Sequence, residues 1–153
     1  MNRFAMLIAT CGGAGLVPKM PGTAGSLLAV PLAWFIMLAG GQPALAQATG
    51  LAVLIGWWAA DYHARKIGED DPSTIVIDEL VGQWLTLMVA PLEISFYILG
   101  FILFRLFDIF KPWPVSWADR KIKGGFGIML DDILAAIYAA AVLYGIRLIV
   151  NGS

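Results

Sequence analysis

Four long apolar stretches divide this chain, and its acidic residues collect at their ends rather than along them. The stretches cover residues 25–39, 44–60, 80–107 and 133–150. A helix crossing the hydrocarbon core of a bilayer needs about 20 predominantly apolar residues. The first stretch reaches that length only with its small-residue flank, and Pro31 near its first turns is expected to bend it. The second ends at Trp57-Trp58, a pair suited to the membrane–water interface. The fourth is rich in Ala and Leu, with Arg147 positioned to snorkel near its end.

The third stretch is apolar throughout but carries Pro91 and Glu93. As one helix it is too long, and it would put a proline and a glutamate in mid-span. Split at residues 91–93, it leaves pieces too short for separate crossings, since about 12 residues cover only about 18 Å. Short broken helices belong where backbone is buried in protein or lines a polar cavity. The expectation is a helical hairpin over 80–107, bent at Pro91, that dips in and returns. The predicted fold is all-α, a polytopic helical membrane protein with about three full spanning helices plus this bent hairpin.

Composition agrees with the pattern. The 153 residues are 59% hydrophobic and 14% charged, where a soluble domain carries about 25% charged residues. Mean hydropathy is +0.79. The length fits one domain, 1–153, with no separate soluble module. A formal net charge of −1 and mixed signs give no basic face for nucleic acid. Cys11 is the single cysteine, so no intrachain disulfide or thiol-rich metal site is possible. The apolar run 4–9 is too short for the core of a signal peptide, and the N-terminus is expected to be retained. Lys19 with Arg3, the segment 63–66, and residues 105–123 hold nearly all the basic residues, which fall on one side if the hairpin enters and returns. By the positive-inside rule that side is the cytoplasm.

Four segments at the ends of the apolar stretches carry candidate chemistry. Ionisable groups beside lipid-embedded helices are costly unless paired, hydrated or metal-bound. Residues 18–26, with Gly22, Thr23, Gly25 and Ser26, form a small-residue turn before a helix, where backbone N–H groups can cradle phosphate oxygens. The ordinary alternative is a Pro-Gly turn with an N-cap. Asp78-Glu79 opens an apolar helix and continues through Gly82 and Gln83 as a polar stripe that must face protein or water; plain capping by acids is the alternative. Three-residue spacing puts Arg105, Asp108 and Lys111 on one helix face, ended by Pro112. That set is either an ion pair at the membrane edge or a site with Asp108 on a metal and Arg105 and Lys111 on phosphate. Asp131-Asp132 follows the Gly-rich run 124–127, whose flexible backbone would let both carboxylates aim at one hard cation; acids at a helix start are again the alternative. His63 reads as a surface or interface residue. Asp61, Glu69 and Asp119 are expected to tolerate change.

Absences narrow the phosphate chemistry. The arginine that a cysteine phosphatase needs six positions after its cysteine is Val17 here. A single histidine rules out the two-histidine membrane phosphatases, and the Asp-x-Asp-x-Thr and CDP-alcohol transferase signatures are missing. A carboxylate–metal site remains.

Pro21-Gly22-Thr23-Ala24-Gly25-Ser26-Leu27, Ile77-Asp78-Glu79 with Gly82-Gln83, Phe104-Arg105-x-Phe107-Asp108-x-x-Lys111-Pro112, and Gly127-Ile128-Met129-x-Asp131-Asp132 together resemble the phosphatidylglycerophosphatase A family. Each motif is weak alone; four in the same order are specific. The resemblance implies an all-helical, bacterial inner-membrane, Mg²⁺-dependent phosphatase. Its substrate would be the phospholipid phosphatidylglycerophosphate and its product phosphatidylglycerol. The identity of the lipid comes from the resemblance alone. With it, Asp78, Glu79, Asp108, Asp131 and Asp132 are candidate catalytic and metal-binding residues, and Gly22, Thr23, Gly25, Ser26, Arg105 and Lys111 candidate phosphate contacts. Water and an aspartate both remain open as the nucleophile. The alternative reading is a small ion or phosphate transporter with carboxylates at broken helices. Depth separates the two, because transporter sites lie near midplane and these acids lie at segment ends.

Overall fold

The computed structural model describes residues 3–151. Six α-helices follow in chain order: α1 (Arg3–Ala9), α2 (Pro21–Ile67), α3 (Ile77–Leu87), α4 (Ile94–Phe110), α5 (Val115–Lys121) and α6 (Gly124–Asn151). A short 3-10 turn, Cys11–Leu16, links α1 to α2, and no strand occurs among the described residues. Two helices, Pro21–Ile67 and Gly124–Val150, are long and apolar enough to cross a membrane.

The first two apolar stretches form two helical arms, as expected, which follow each other without a long loop in the 47-residue α2. Its helical path breaks only at Gly41, at φ 66 and ψ −163, a conformation that favours glycine. The arms turn back on each other there. A Cβ on Gly25 would lie 2.8 Å from that of Val76, and one on Gly56 would lie 2.8 Å from Ile77. A straight helix would hold Gly25 and Gly56 about 46 Å apart, so both cannot meet adjacent residues unless the helix folds. Pro31, expected to bend the first arm, sits inside it without a break.

The hairpin expected over residues 80–107 is present, broken around Pro91. Helix α3 has 11 residues and α4 has 17. They run antiparallel, with Gly82 against the Phe104 ring and Gly100 against Leu87. Arg147 does not snorkel free; its guanidinium donates to the carbonyl of Val89 at 2.9 Å, just after α3. Gln42, beside the α2 fold, donates to the Met88 carbonyl at 3.0 Å. These two bonds satisfy backbone that the broken hairpin leaves open.

Packing runs small inside and large outside. Ala29, Ala33, Ala59, Ala60, Ala135, Ala136 and Ala139 are completely buried, whereas Leu27, Phe35, Leu51, Leu54, Ile98 and Ile102 are exposed. Small residues let helix backbones approach closely, which is how helices associate when large apolar side chains gain nothing by leaving their surroundings. The Trp84 indole, donating to the Ala29 carbonyl at 2.9 Å, ties α3 to the first arm.

Candidate active site

At the end of the bundle opposite Gly41 and Pro91, four segments surround one cleft: the start of α2, the start of α3, the end of α4 and the early turns of α6. Lys19, Gly22, Thr23, Asp71, Ser73, Asp78, Glu79, Arg105, Asp108, Lys111, Asp131 and Asp132 all line it. Nine of the eleven candidates read from the sequence therefore meet in one place; Gly25 and Ser26 do not line it.

Helix α3 delivers the first acids. Pro72 turns the chain, with Ile75 N–H donating to the Pro72 carbonyl at 2.9 Å, and Val76 N–H then docks on the Ala9 carbonyl at 2.9 Å. Ile77 and Leu80 enter the core, which turns Asp78 and Glu79 toward the cleft. The polar stripe continues inward and faces protein: Gly82 packs on Phe104, and Gln83 is fully buried. Asp132 of α6 completes the group. One oxygen from each of Asp78, Glu79 and Asp132 lies within 4.8 Å of the others.

Asp78 and Asp132 are buried and Glu79 is half-buried, and none of the three carboxylates is fully partnered. Asp78 Oδ1, Glu79 Oε2 and Asp132 Oδ2 have no hydrogen bond and no solvent contact. Buried like charges at such spacing are unfavourable unless a cation joins them or protons do. The donor set is all oxygen, which suits a hard divalent cation such as Mg²⁺ and disfavours soft metals. The residues fit such an ion.

The α4 end supplies the cations. Arg105 and Asp108 pair across one helical turn through a short guanidinium–carboxylate contact. Arg105 also reaches the first turn of α2, because a Cβ on Gly22 would lie 3.3 Å from its Nη1 and would collide with the Glu79 carboxylate. Gly22 is thus required by close approach. Lys111 departs from the expected helix face. It sits in the left-handed region at φ 44, because Pro112 cannot continue the helix and disfavours helical geometry at the residue before it. Its ammonium bridges Asp119 at 2.5 Å and Asp131 at 2.7 Å. Burial works against that charge, but the two carboxylates outweigh it and hold the Lys111 pKa above its ordinary value.

The glycine-rich and acidic segments also differ from expectation. Residues 22–26 are not a turn before the helix but the first turns of α2, which begins at Pro21. Met20 is the N-cap with no side-chain cap bond, Pro21 has no N–H, and Ala24 N–H is taken by the Met20 carbonyl at 3.1 Å. The free amides facing the cleft are those of Gly22 and Thr23. Ser26 is buried and donates to the Gly22 carbonyl at 3.1 Å, and Gly25 packs on Val76. Around α6, glycines serve close contact rather than flexibility: Gly125 abuts the backbone of Asp61, and Gly127 that of Ile122. Helix α6 starts at Gly124, so Asp131 and Asp132 lie beyond its first turn and are not capping acids. Neighbours on a helix diverge by about 100°. Asp131 accordingly faces Lys111 while Asp132 faces Asp78 and Glu79, and the two do not aim at one point.

Three polar residues that line the cleft, Lys19, Asp71 and Ser73, were not among the candidates, nor was Asp119, which holds one of the lining residues from outside. Asp71 and Ser73 line the cleft from the segment before α3, and Asp119 holds Lys111 from α5. Burial raises the Asp71 carboxyl above its ordinary range, with Lys111 opposing that rise. The signal for Asp71 was its place in an acidic run before Pro72; Asp119 offered none, since its partner is set by how α5 folds back. His63 is an interface residue, as expected, buried with Nε2 3.2 Å from the Thr74 hydroxyl. Cys11 lies outside the cleft. Burial, aided by Glu79, pushes its thiol up to about 12, and its Sγ contacts the Val76 carbonyl at 3.6 Å.

Residues 7–147 match the family model described as Phosphatidylglycerophosphatase A. The chain is 40% identical over 139 residues to the phosphatidylglycerophosphatase A of Escherichia coli K12, covering 90% of this chain and 80% of that protein. It is 39% identical over 142 residues to the phosphatidylglycerophosphatase A of Haemophilus influenzae, covering 92% and 87%. No solved structure matches it. With the family model spanning nearly the whole chain and relatives of this identity aligned along most of their length, the chain belongs to the phosphatidylglycerophosphatase A family.

Proposed function

We propose that this chain hydrolyses the terminal phosphomonoester of phosphatidylglycerophosphate to phosphatidylglycerol and phosphate, with Mg²⁺, in bacterial phospholipid biosynthesis. The observation that carries the reading is the trio of buried or half-buried, incompletely partnered carboxylates facing a guanidinium and a helix start across one cleft. Asp78, Glu79 and Asp132 would hold the ion, which when bound supplies positive charge against the phosphoryl oxygens.

The chain's own groups do the rest. Arg105 offers a planar fork to the phosphoryl oxygens while Asp108 fixes its orientation. The Gly22 and Thr23 amides and the positive end of α2 hold a further oxygen. Lys111, fixed by Asp119 and Asp131, adds a point charge at the cleft wall. Attack at phosphorus, by water or by an aspartate whose phosphoryl group water then removes, forms a new P–O bond as the bond to the glycerol oxygen breaks. That oxygen takes up a proton supplied in net by the water and leaves as the alcohol of phosphatidylglycerol, and phosphate is released. Such transfer depends mainly on positioning and electrostatic stabilisation of the phosphoryl group.

The membrane placement belongs to the same proposal. The two arms of α2 and helix α6 cross the inner membrane, and α3–α4 re-enters from the cleft side. The exposed apolar side chains of these helices support it. The basic segments cluster at the cleft end, which supports a site on the cytoplasmic face.

Purified protein assayed for phosphate release from phosphatidylglycerophosphate should be active with Mg²⁺ and silent after chelation. Absence of release, or release indifferent to chelation, would sink the proposal. In intact cells, a cysteine replacing Gly68 in a Cys11-free background should resist impermeant labels; ready labelling would reverse the orientation.

A further inference from the structure

Helix α5 shows two different faces. Its inner side buries Val115 and Ala118 and directs Asp119 to Lys111 in the cleft. Its outer side, with the residues leading into it, presents Phe110, Trp113, Trp117, Arg120 and Lys121, all exposed; Trp113 is 75% exposed and Phe110 77%. Trp113, Trp117, Arg120 and Lys121 line a groove of their own that shares no residue with the cleft. It contains no carboxylate. Arg120 makes one contact back to its helix, Nε to the Ser116 carbonyl at 3.0 Å, and neither Arg120 nor Lys121 forms an ion pair among the described residues.

The groove also has a measurable slant. At its apolar end the Trp113 carbonyl accepts the Tyr138 hydroxyl at 2.9 Å, and Phe107 stacks on the Tyr138 ring. At its basic end Ile122 abuts Gly127. Between Gly127 and Tyr138, α6 rises about 16 Å, so α5 and its flanks run from the level of the apolar bundle to its polar end. Aromatic rings below and cations above match the ester region and headgroup of a phospholipid. A bare interfacial anchor would need the rings alone. Two cations held in no ion pair among the described residues complement a phosphodiester anion, although Arg120 also borders a neighbouring cavity lined by Asp70, Asp71, Asp119 and Asp131.

We propose that this groove binds the phosphodiester headgroup of an anionic membrane phospholipid other than the molecule in the cleft. Arg120 and Lys121 take the phosphate, and Trp113 and Trp117 flank the glycerol and upper acyl region. Because Asp119 lies between the groove and the cleft on the same helix, a lipid docked outside and a substrate inside are held at once. The inference rests on the membrane placement proposed above.

The test uses the full chain reconstituted in phosphatidylcholine vesicles containing a minor fraction of either brominated phosphatidylglycerol or brominated phosphatidylcholine, with tryptophan quenching as the readout. Brominated phosphatidylglycerol should quench more at equal fraction, and Trp113→Phe/Trp117→Phe should remove the excess. Arg120→Gln and Lys121→Gln should each weaken the anionic preference by about fivefold, and Arg120→Lys should retain most of it. Both charge sites are exposed, so either single variant serves if the other folds poorly. Equal quenching by the two lipids, or a preference that survives removal of both charges, would overturn the proposal and leave an unselective aromatic anchor. A chain that fails to enter vesicles at all would instead overturn the membrane placement.

Discussion

On the α5 side of the cleft, Lys111 lies between Asp119 and Asp131 at 2.5 and 2.7 Å, one cation shared by two carboxylates. On the α3 side, Asp78, Glu79 and Asp132 crowd together with one oxygen apiece left without a partner. Both groups are fed by the same pair of adjacent aspartates on α6. The difference separates two uses of buried charge. A paired set fixes geometry and is already satisfied, whereas a set of like charges is unfavourable alone and becomes favourable when a cation arrives. We propose that the first is a brace and the second a receptacle.

The largest effect should come from the receptacle. Asp78→Asn or Asp132→Asn should lower phosphate release by about a hundredfold or more, in line with losing a main electrostatic contact in the transition state. The same variants should also lose the rise in melting temperature that Mg²⁺ gives the native chain, since an ion that binds only the folded state stabilises it. Near-native turnover in either variant would refute the receptacle.

A smaller loss is expected at the guanidinium. Arg105→Lys keeps the charge but replaces a planar fork by a point, and kcat should fall by about tenfold to a hundredfold, more than KM rises. Unchanged kcat/KM would reduce Arg105 to a helix ion pair with Asp108. On the braced side, Asp119→Asn should cost about tenfold in kcat/KM, because Lys111 keeps Asp131 but loses its second anchor. Asp119→Glu should recover part of it. Full activity in Asp119→Asn would restore the tolerance that the sequence led us to expect there.

The smallest effect tests the comparison most directly, because its sign differs between neighbours. In chelator, Asp132→Asn should raise stability by about 1 kcal/mol by relieving like-charge repulsion, while Asp131→Asn should lower it by about as much by stripping a partner from Lys111. Thermal unfolding of the two variants side by side reads this out. Shifts of the same sign would erase the distinction between brace and receptacle.

Some features were legible along the chain because local rules decide them. Pro91 breaks the hairpin wherever it packs, since it lacks an N–H and blocks the preceding helix. Pro112 ends α4 for the same reason, and Arg105–Asp108 meet because three residues make nearly one turn. Acids gathered at the ends of apolar runs are a statement about composition and position alone, and they indicated where charge would have to be answered. Other features depended on partners distant in sequence. The gap between the first two apolar stretches marked a break, but only the contacts of Gly25 and Gly56 with Val76 and Ile77 reveal that the two helical arms fold back on each other there. Asp119 is expected from the sequence to tolerate change, and only the folding of α5 against the cleft brings it onto Lys111. Asp131 and Asp132 are indistinguishable as letters. Only the packing of α6 against α3 on one side and α5 on the other decides that one meets Lys111 and its neighbour meets Asp78 and Glu79, because a helix sends adjacent side chains in divergent directions and the tertiary structure chooses what each one meets.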